Sequence, residues 1–196
     1  MLWGAIPRTG GSAWQNYNKQ FPGAAAKTRQ HIKLLNKLFA NFMILARLAL
    51  SFNGIIVNEW PKGCAYWKYP NVKEFFAEIN AYFMEINGCA LGLKSIVEDE
   101  KYITKPWSLA CANFAFLDGL GCCLCPGVSP SHQHAPCAGR DTKRTEDYTD
   151  MMVNEVRKSF LKLMQPKPVH AACAIAIKPS SSFPETSSAL ATSFAQ

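Results

Sequence analysis
Acidic side chains are nearly missing from the N-terminal part of this chain. Residues 1–73 carry ten Lys and Arg against Glu59 alone, a local net charge of +9 in a protein whose total is +7. Such a one-signed stretch fits a polyanionic partner, most simply nucleic acid, and equally a solvated basic face. The candidate contacts are Arg8, Lys27, Arg29, Lys33, Lys37, Lys62 and Lys68. Cysteine is also too scarce for a disulfide scaffold, with eight in 196 residues, which points to a reducing compartment. No secretory signal is legible, because Met1-Leu2-Trp3 lacks a basic segment and Pro7-Arg8 interrupts early. The most apolar stretch, Phe42–Val57, is broken by Arg47, Asn53 and Gly54 and is too short to span a bilayer. The expectation is a soluble, intracellular protein that avoids the membrane, nuclear if its partner is nucleic acid. No internal repeat, Ser-His-Asp pattern or Walker-type loop is present, and Gly119-Leu-Gly121 lacks the leading strand and following helix that a phosphate loop needs.

Against these absences stands Asn53–Trp67, around which the rest is arranged. Gly54 opens the β-branched run Ile55-Ile56-Val57, and Pro61 closes it after Glu59-Trp60. A short continuous apolar run of this kind suits a strand buried on both faces of a parallel sheet. Glu59 then falls at the carboxyl end of that strand, where open α/β sheets place their ligands. Met1–Pro7 is apolar enough for an earlier strand, and between the two lies Lys27–Ser51, whose apolar residues recur at three and four as in a helix. Strand, helix, strand predicts a right-handed parallel crossover that brings Arg8 and Glu59 to one cleft. The C-terminal half of the helix is apolar nearly all round and is expected to be buried.

A second helix is predicted from Pro70, capped by Asn71 with Glu74 three residues on. Phe83–Cys89 and Tyr102–Ala112 read as strands of a hairpin with Glu98-Asp99-Glu100 at its solvated tip, and Thr145–Met164 as a final helix. These elements make one α/β domain over residues 1–164. From 165 to 196 the composition turns to Pro, Ser, Ala and Thr, the mark of a disordered or weakly docked tail; Val169–Ile177 is its apolar part.

The densest chemical signal lies in the loop 121–140, with Cys122, Cys123, Cys125, His132, His134 and Cys137. Zinc takes four thiolate or imidazole donors in a tetrahedron. Cys122 and Cys125 form a Cys-x2-Cys pair, and His132 or His134 with Cys137 can close a site, structural rather than catalytic. Cys64, between Lys62 and Lys68, is a second candidate thiol.

Two stretches together resemble the DNA cytosine-5 methyltransferases. Leu2-Trp3-Gly4-Ala5-Ile6-Pro7-Arg8-Thr9-Gly10-Gly11-Ser12 is similar to the segment that delivers that family's nucleophilic cysteine after a proline, and Ile56-Val57-Asn58-Glu59-Trp60-Pro61 to its next strand, which ends in a glutamate. Gly88–Gly92 and Lys105-Pro106-Trp107 resemble a later hairpin, and Cys-Ala-Gly-Arg-x-Thr-Lys resembles pieces of methylase-derived proteins carried by mobile elements. The resemblance implies a partial Rossmann-like methyltransferase sheet with flanking helices, and a base-contacting role for Glu59. It also puts Arg8 where the cysteine should stand. The Gly-rich cofactor loop is not found, so S-adenosylmethionine is not expected to bind this chain alone. The reading is a truncated, inactive, nucleic-acid-binding relative; the alternative is a zinc-stabilised protein-interaction module.

Overall fold
The structure is a computed structural model that describes residues 1–165; the tail expected at 165–196, with Val169–Ile177, lies outside the described residues apart from Gln165. Helices flank a four-stranded mixed sheet, a mixed α/β fold. The chain opens with β1 (Leu2–Gly4), a single 3-10 turn at Thr9–Gly11, and the short helix α1 (Trp14–Asn18). The long helix α2 (Ala24–Ser51) then leads to β2 (Ile56–Pro61), and α3 (Pro70–Glu78) leads to β3 (Tyr82–Asn87). After β4 (Tyr102–Ile103) and β5 (Pro106–Cys111) come α4 (Phe114–Asp118), β6 (His134–Ala135), α5 (Arg140–Arg144) and α6 (Asp150–Met164).

The main sheet runs β1-β2-β5-β3. β1 and β2 are parallel with Leu2 opposite Ile56, as the sequence predicts, while β5 runs antiparallel to both β2 and β3. The expected parallel sheet is therefore parallel at one pair only. The hairpin partners are those expected, but β4 separates from β5 to pair in parallel with β6, Tyr102 opposite His134.

β2 is the central strand, and its side chains alternate as strand geometry requires. Val57 enters one core layer with Trp107, Leu109, Phe116 and Met152, and Ile56 and Trp60 enter the other with α2 and α3. In that second layer Phe39 is fully buried, with the rings of Phe42, Trp60, Phe75 and Phe76 all within 6.1 Å. Such ring pairs each add about 0.5–1.5 kcal/mol beyond the area they bury.

α2 presents Leu35, Phe39, Phe42 and Ala46 to the sheet at spacings of four, three and four. Its C-terminal half is not buried all round: Ile44 is 63% exposed and Leu48 54%, as is Phe52 just past its end at 78%. The helix touches the sheet on one side only, and among the described residues nothing covers its far face. At 28 residues it is also long and apolar enough to cross a membrane by length and composition, because the helix extends well upstream of Phe42. It ends where Gly54 folds back so closely that a Cβ would stand 2.7 Å from the Ala49 carbonyl, a place only glycine fits.

Two helix starts differ from the sequence reading. Tyr69 precedes α3 with Pro70 at its first position, and no side chain caps it; proline's fixed φ and missing N–H suit that place better than Asn71. α6 begins at Asp150, where the Thr149 hydroxyl accepts from the Met152 amide at 3.1 Å. Residues 145–148 are thereby released from the helix to form a wall.

Candidate functional site
The carboxyl ends of β1 and β2 open into a cavity of about 350 Å³ lined by Arg8, Glu59, Lys105, Thr145 and Tyr148, among others. Arg8 is aimed there by two anchors. The Trp60 indole donates to the Ile6 carbonyl at 2.7 Å. The Thr9–Gly11 turn closes with the Gly11 amide on the Arg8 carbonyl at 2.8 Å. Gly11 presses so tightly on the β2 side that a Cβ would meet Cys64 and Tyr66 at 2.8 Å.

Glu59 is 7% exposed. Its Oε2 accepts the Tyr148 hydroxyl at 2.8 Å, and that hydroxyl in turn accepts the Trp3 indole N–H at 3.1 Å. Burial raises the Glu59 carboxyl above its ordinary range, and the Tyr148 hydrogen bond and the charges of Lys105 and Arg8 pull it partly back. Lys105 is buried, and its ammonium donates to the Thr145 carbonyl. Desolvation, then Arg8, depress its pKa to about 8, with Glu59 opposing. Two acids, Glu59 and Glu146, and two cations, Arg8 and Lys105, thus line one pocket. Such a site can bind a group that offers both donors and acceptors, and it discriminates through unpaired polar atoms when the match fails.

Sequence reasoning brought Arg8 and Glu59 together here and missed Lys105, Tyr148 and Trp3. The expected helix Thr145–Met164 takes in Tyr148, whereas α6 in fact starts after it. Lys105 carries no local mark of burial; only the neighbouring Pro106-Trp107 signals an apolar setting. Of the other basic residues, Lys27, Arg29, Lys33 and Lys37 lie exposed on α2, and Lys68 is exposed beyond β2. Lys62 pairs instead with Glu85 at 2.9 Å. Cys64 is 4% exposed, and burial pushes its thiol up to about 11, the reverse of an activated nucleophile.

A second cluster lies in the Cys/His loop. Cys89, Cys125, His132 and His134 bring their donor atoms within 4.8 Å of one another, an arrangement that could hold a metal ion. Cys125 Sγ is 3.5 Å from His134 Nε2 and 3.8 Å from His132 Nε2. Cys125, His132 and His134 come together as expected, whereas Cys122, Cys123 and Cys137 lie outside the cluster. The Cys122 thiol is exposed and faces Glu155 on α6 at 3.9 Å, Cys123 is buried in the core, and Cys137 Sγ is 3.7 Å from the Thr145 hydroxyl. The fourth member, Cys89, sits in a 3-10 turn far upstream. Its thiol is raised to about 11 by burial and by Cys125 beside it; a bound metal would instead hold both as thiolates.

Comparison with protein-family models, curated proteins and solved structures finds no match to this chain.

Proposed function
We propose that this chain is a catalytically inactive, cytosine-methyltransferase-like protein that binds nucleic acid through its basic N-terminal part and the cleft beside it. The observation that carries the reading is the meeting of Arg8 and Glu59 in one cavity at the ends of two parallel neighbouring strands. Glu59 holds the position of the base-contacting glutamate in the resemblance, and Arg8 that of the nucleophile. An arginine offers a charged fork for phosphate or a base edge but forms no covalent adduct with cytosine. Among the described residues no cysteine lines the cleft. A parallel pair closed by an antiparallel hairpin, with its cleft beyond the parallel strands, agrees with a partial Rossmann-like methyltransferase sheet. Lys27, Arg29, Lys33 and Lys37 are exposed and form no ion pair among the described residues, which leaves them available to phosphates.

For the second cluster zinc is the metal its donors favour, since two thiols and two imidazoles suit a tetrahedral borderline-soft ion. Free cysteines and a nucleic-acid partner together fit an intracellular, nuclear setting. A second reading, a zinc-stabilised protein-interaction module, is favoured by the exposed Ile44 and Leu48 of α2 and by Phe52 just past its end.

Labelled oligonucleotide binding and transfer of tritiated methyl groups from S-adenosylmethionine test the proposal. The expected result is salt-sensitive binding with no methyl incorporation. Methyl transfer would overturn the inactive assignment, and absence of binding at low ionic strength would leave the interaction module.

A further inference from the structure
The geometry points to a closed, structural zinc centre at Cys89, Cys125, His132 and His134 whose task is to hold in place the wall of the cleft that carries Lys105, Thr145 and Tyr148. This rests on the reading of the cluster as a zinc site and adds what the zinc does there.

Two of the donor separations already match those of a zinc tetrahedron, and all four donors lie within 4.8 Å of one another. Zinc–sulfur bonds of about 2.3 Å and zinc–nitrogen bonds of about 2.0–2.1 Å put neighbouring donors roughly 3.3–3.8 Å apart. Cys125 Sγ stands 3.5 and 3.8 Å from the two imidazole nitrogens. The Gly127 amide donates to Cys125 Sγ at 3.4 Å, and the Cys125 amide donates to Asn87 Oδ1 at 2.9 Å. These are the outer contacts that orient a ligating thiolate. Four protein donors leave no position for a substrate.

The segment that delivers Lys105 runs between the ligands. On one flank the Gly88 amide, next to Cys89, donates to the Lys105 carbonyl at 2.9 Å, and the Ile103 amide donates to the Leu93 carbonyl at 2.8 Å. On the other flank the Tyr102 amide donates to the Gln133 carbonyl at 2.8 Å, between the two histidines. The His132 ring stacks on Tyr102 with centroids 4.6 Å apart. A metal bound to Cys89, His132 and His134 therefore clamps residues 102–105 from both sides. Beyond β6 the chain passes through Cys137 and α5 to Thr145, whose carbonyl takes the Lys105 ammonium, and to Tyr148, which holds Glu59.

Leu120 and Cys123 anchor the start of this loop in the core, where the Asn87 amide donates to the Cys123 carbonyl at 2.8 Å; beyond them little else fixes it. Between α4 and β6 there is no helix or strand, only the Ser129–His132 bridge. Leu124 and Val128, the apolar residues of that later part, are exposed. A connection of this length without a core of its own needs another constraint, and a metal supplies it as folding free energy.

The test uses the full chain, zinc-loaded and chelator-stripped under reducing conditions, with zinc counted by elemental analysis and backbone exchange read by hydrogen–deuterium mass spectrometry. We expect one zinc per chain. Stripping should speed exchange about tenfold or more over residues 100–106 and 130–148 and leave 56–61 unchanged. Cys89→Ser should lose zinc and reproduce the stripped pattern, while Cys122→Ser and Cys137→Ser keep both zinc and protection. If Cys89→Ser does not fold, cobalt substitution of the wild-type chain serves in its place: tetrahedral d–d bands with thiolate charge transfer support the centre, and an octahedral spectrum overturns it. Zinc bound with no change in exchange on stripping would overturn the clamp and leave the zinc site standing. No zinc on the wild-type chain would overturn both. The exchange readout needs no nucleic acid, so it stands apart from the test of the cleft.

Discussion

Glu59→Gln should stabilise this protein at neutral pH. Glutamine is nearly isosteric, and its side-chain oxygen still accepts the Tyr148 hydroxyl that now reaches Glu59 Oε2 at 2.8 Å. What the substitution removes is a carboxylate in a site 7% exposed, whose pKa is raised by burial and only partly restored by Tyr148, Lys105 and Arg8. Because the folded pKa lies above the unfolded value of about 4.3, the native state keeps its proton in a window where the unfolded chain has released it. The stabilising contribution of Glu59 is therefore complete below about pH 4.3 and is lost as pH rises through the folded pKa. At pH 7 a buried charge remains with one hydroxyl donor, a situation that costs about 1–3 kcal/mol before the cations offset part of it. A net gain of about 1 kcal/mol on mutation corresponds to about 2–4 °C in Tm for a chain of this size. Thermal denaturation followed by circular dichroism at pH 4 and pH 7 reads it. The variant should melt higher at pH 7, with the difference shrinking towards zero at pH 4. A variant that melts lower at pH 7, or by the same margin at both, would refute the reasoning and make Glu59 a net stabilising partner of Arg8 and Lys105.

Lys105 carries the opposite sign. Its folded pKa of about 8 lies below the ordinary lysine value, so the unfolded chain binds the extra proton and stability rises with pH between about 8 and 10.4; urea denaturation of Lys105→Met should show that rise lost. Phe39→Ala opens a cavity amid four rings and should cost about 3–5 kcal/mol by urea denaturation. A thiol reagent at pH 8 should modify exposed Cys122 within the native protein, while Cys64 and Cys111, both buried and pushed up to about 11, react only on unfolding.

The parallel pair and its cleft were legible because the signals are local: three β-branched residues between Gly54 and Pro61, and a helix length between two strands. The antiparallel turn of the sheet was only half legible, since the hairpin of β3 and β5 could be read but not the side of β2 on which it docks. Tyr148 was misread because a 3.6-residue period runs through it; Thr149, a competent N-cap one residue later, decides where α6 begins. The exposed face of α2 escaped notice because composition cannot say how many sides of a helix find a partner. Cys89 was missed because 36 residues separate it from Cys125. Its only sequence mark is a cysteine in the turn Gly88–Gly92, where a metal ligand and a core thiol look alike. Cys122 and Cys137 are near Cys125, His132 and His134 in sequence, but the chain turns each of them towards α6 or Thr145.

The exposed cations on α2 and the cleft beside them are proposed to meet nucleic acid. Fluorescence anisotropy of a labelled DNA duplex, titrated from roughly 20 to 200 mM salt, should give a log–log slope of about −0.9 for each phosphate engaged. The combined variant Lys27→Gln, Arg29→Gln, Lys33→Gln and Lys37→Gln should flatten that slope by about 0.9 for each contact removed while leaving the melting temperature within a few degrees. A wild-type affinity indifferent to salt, or a slope that the fourfold variant leaves unchanged, would contradict the account.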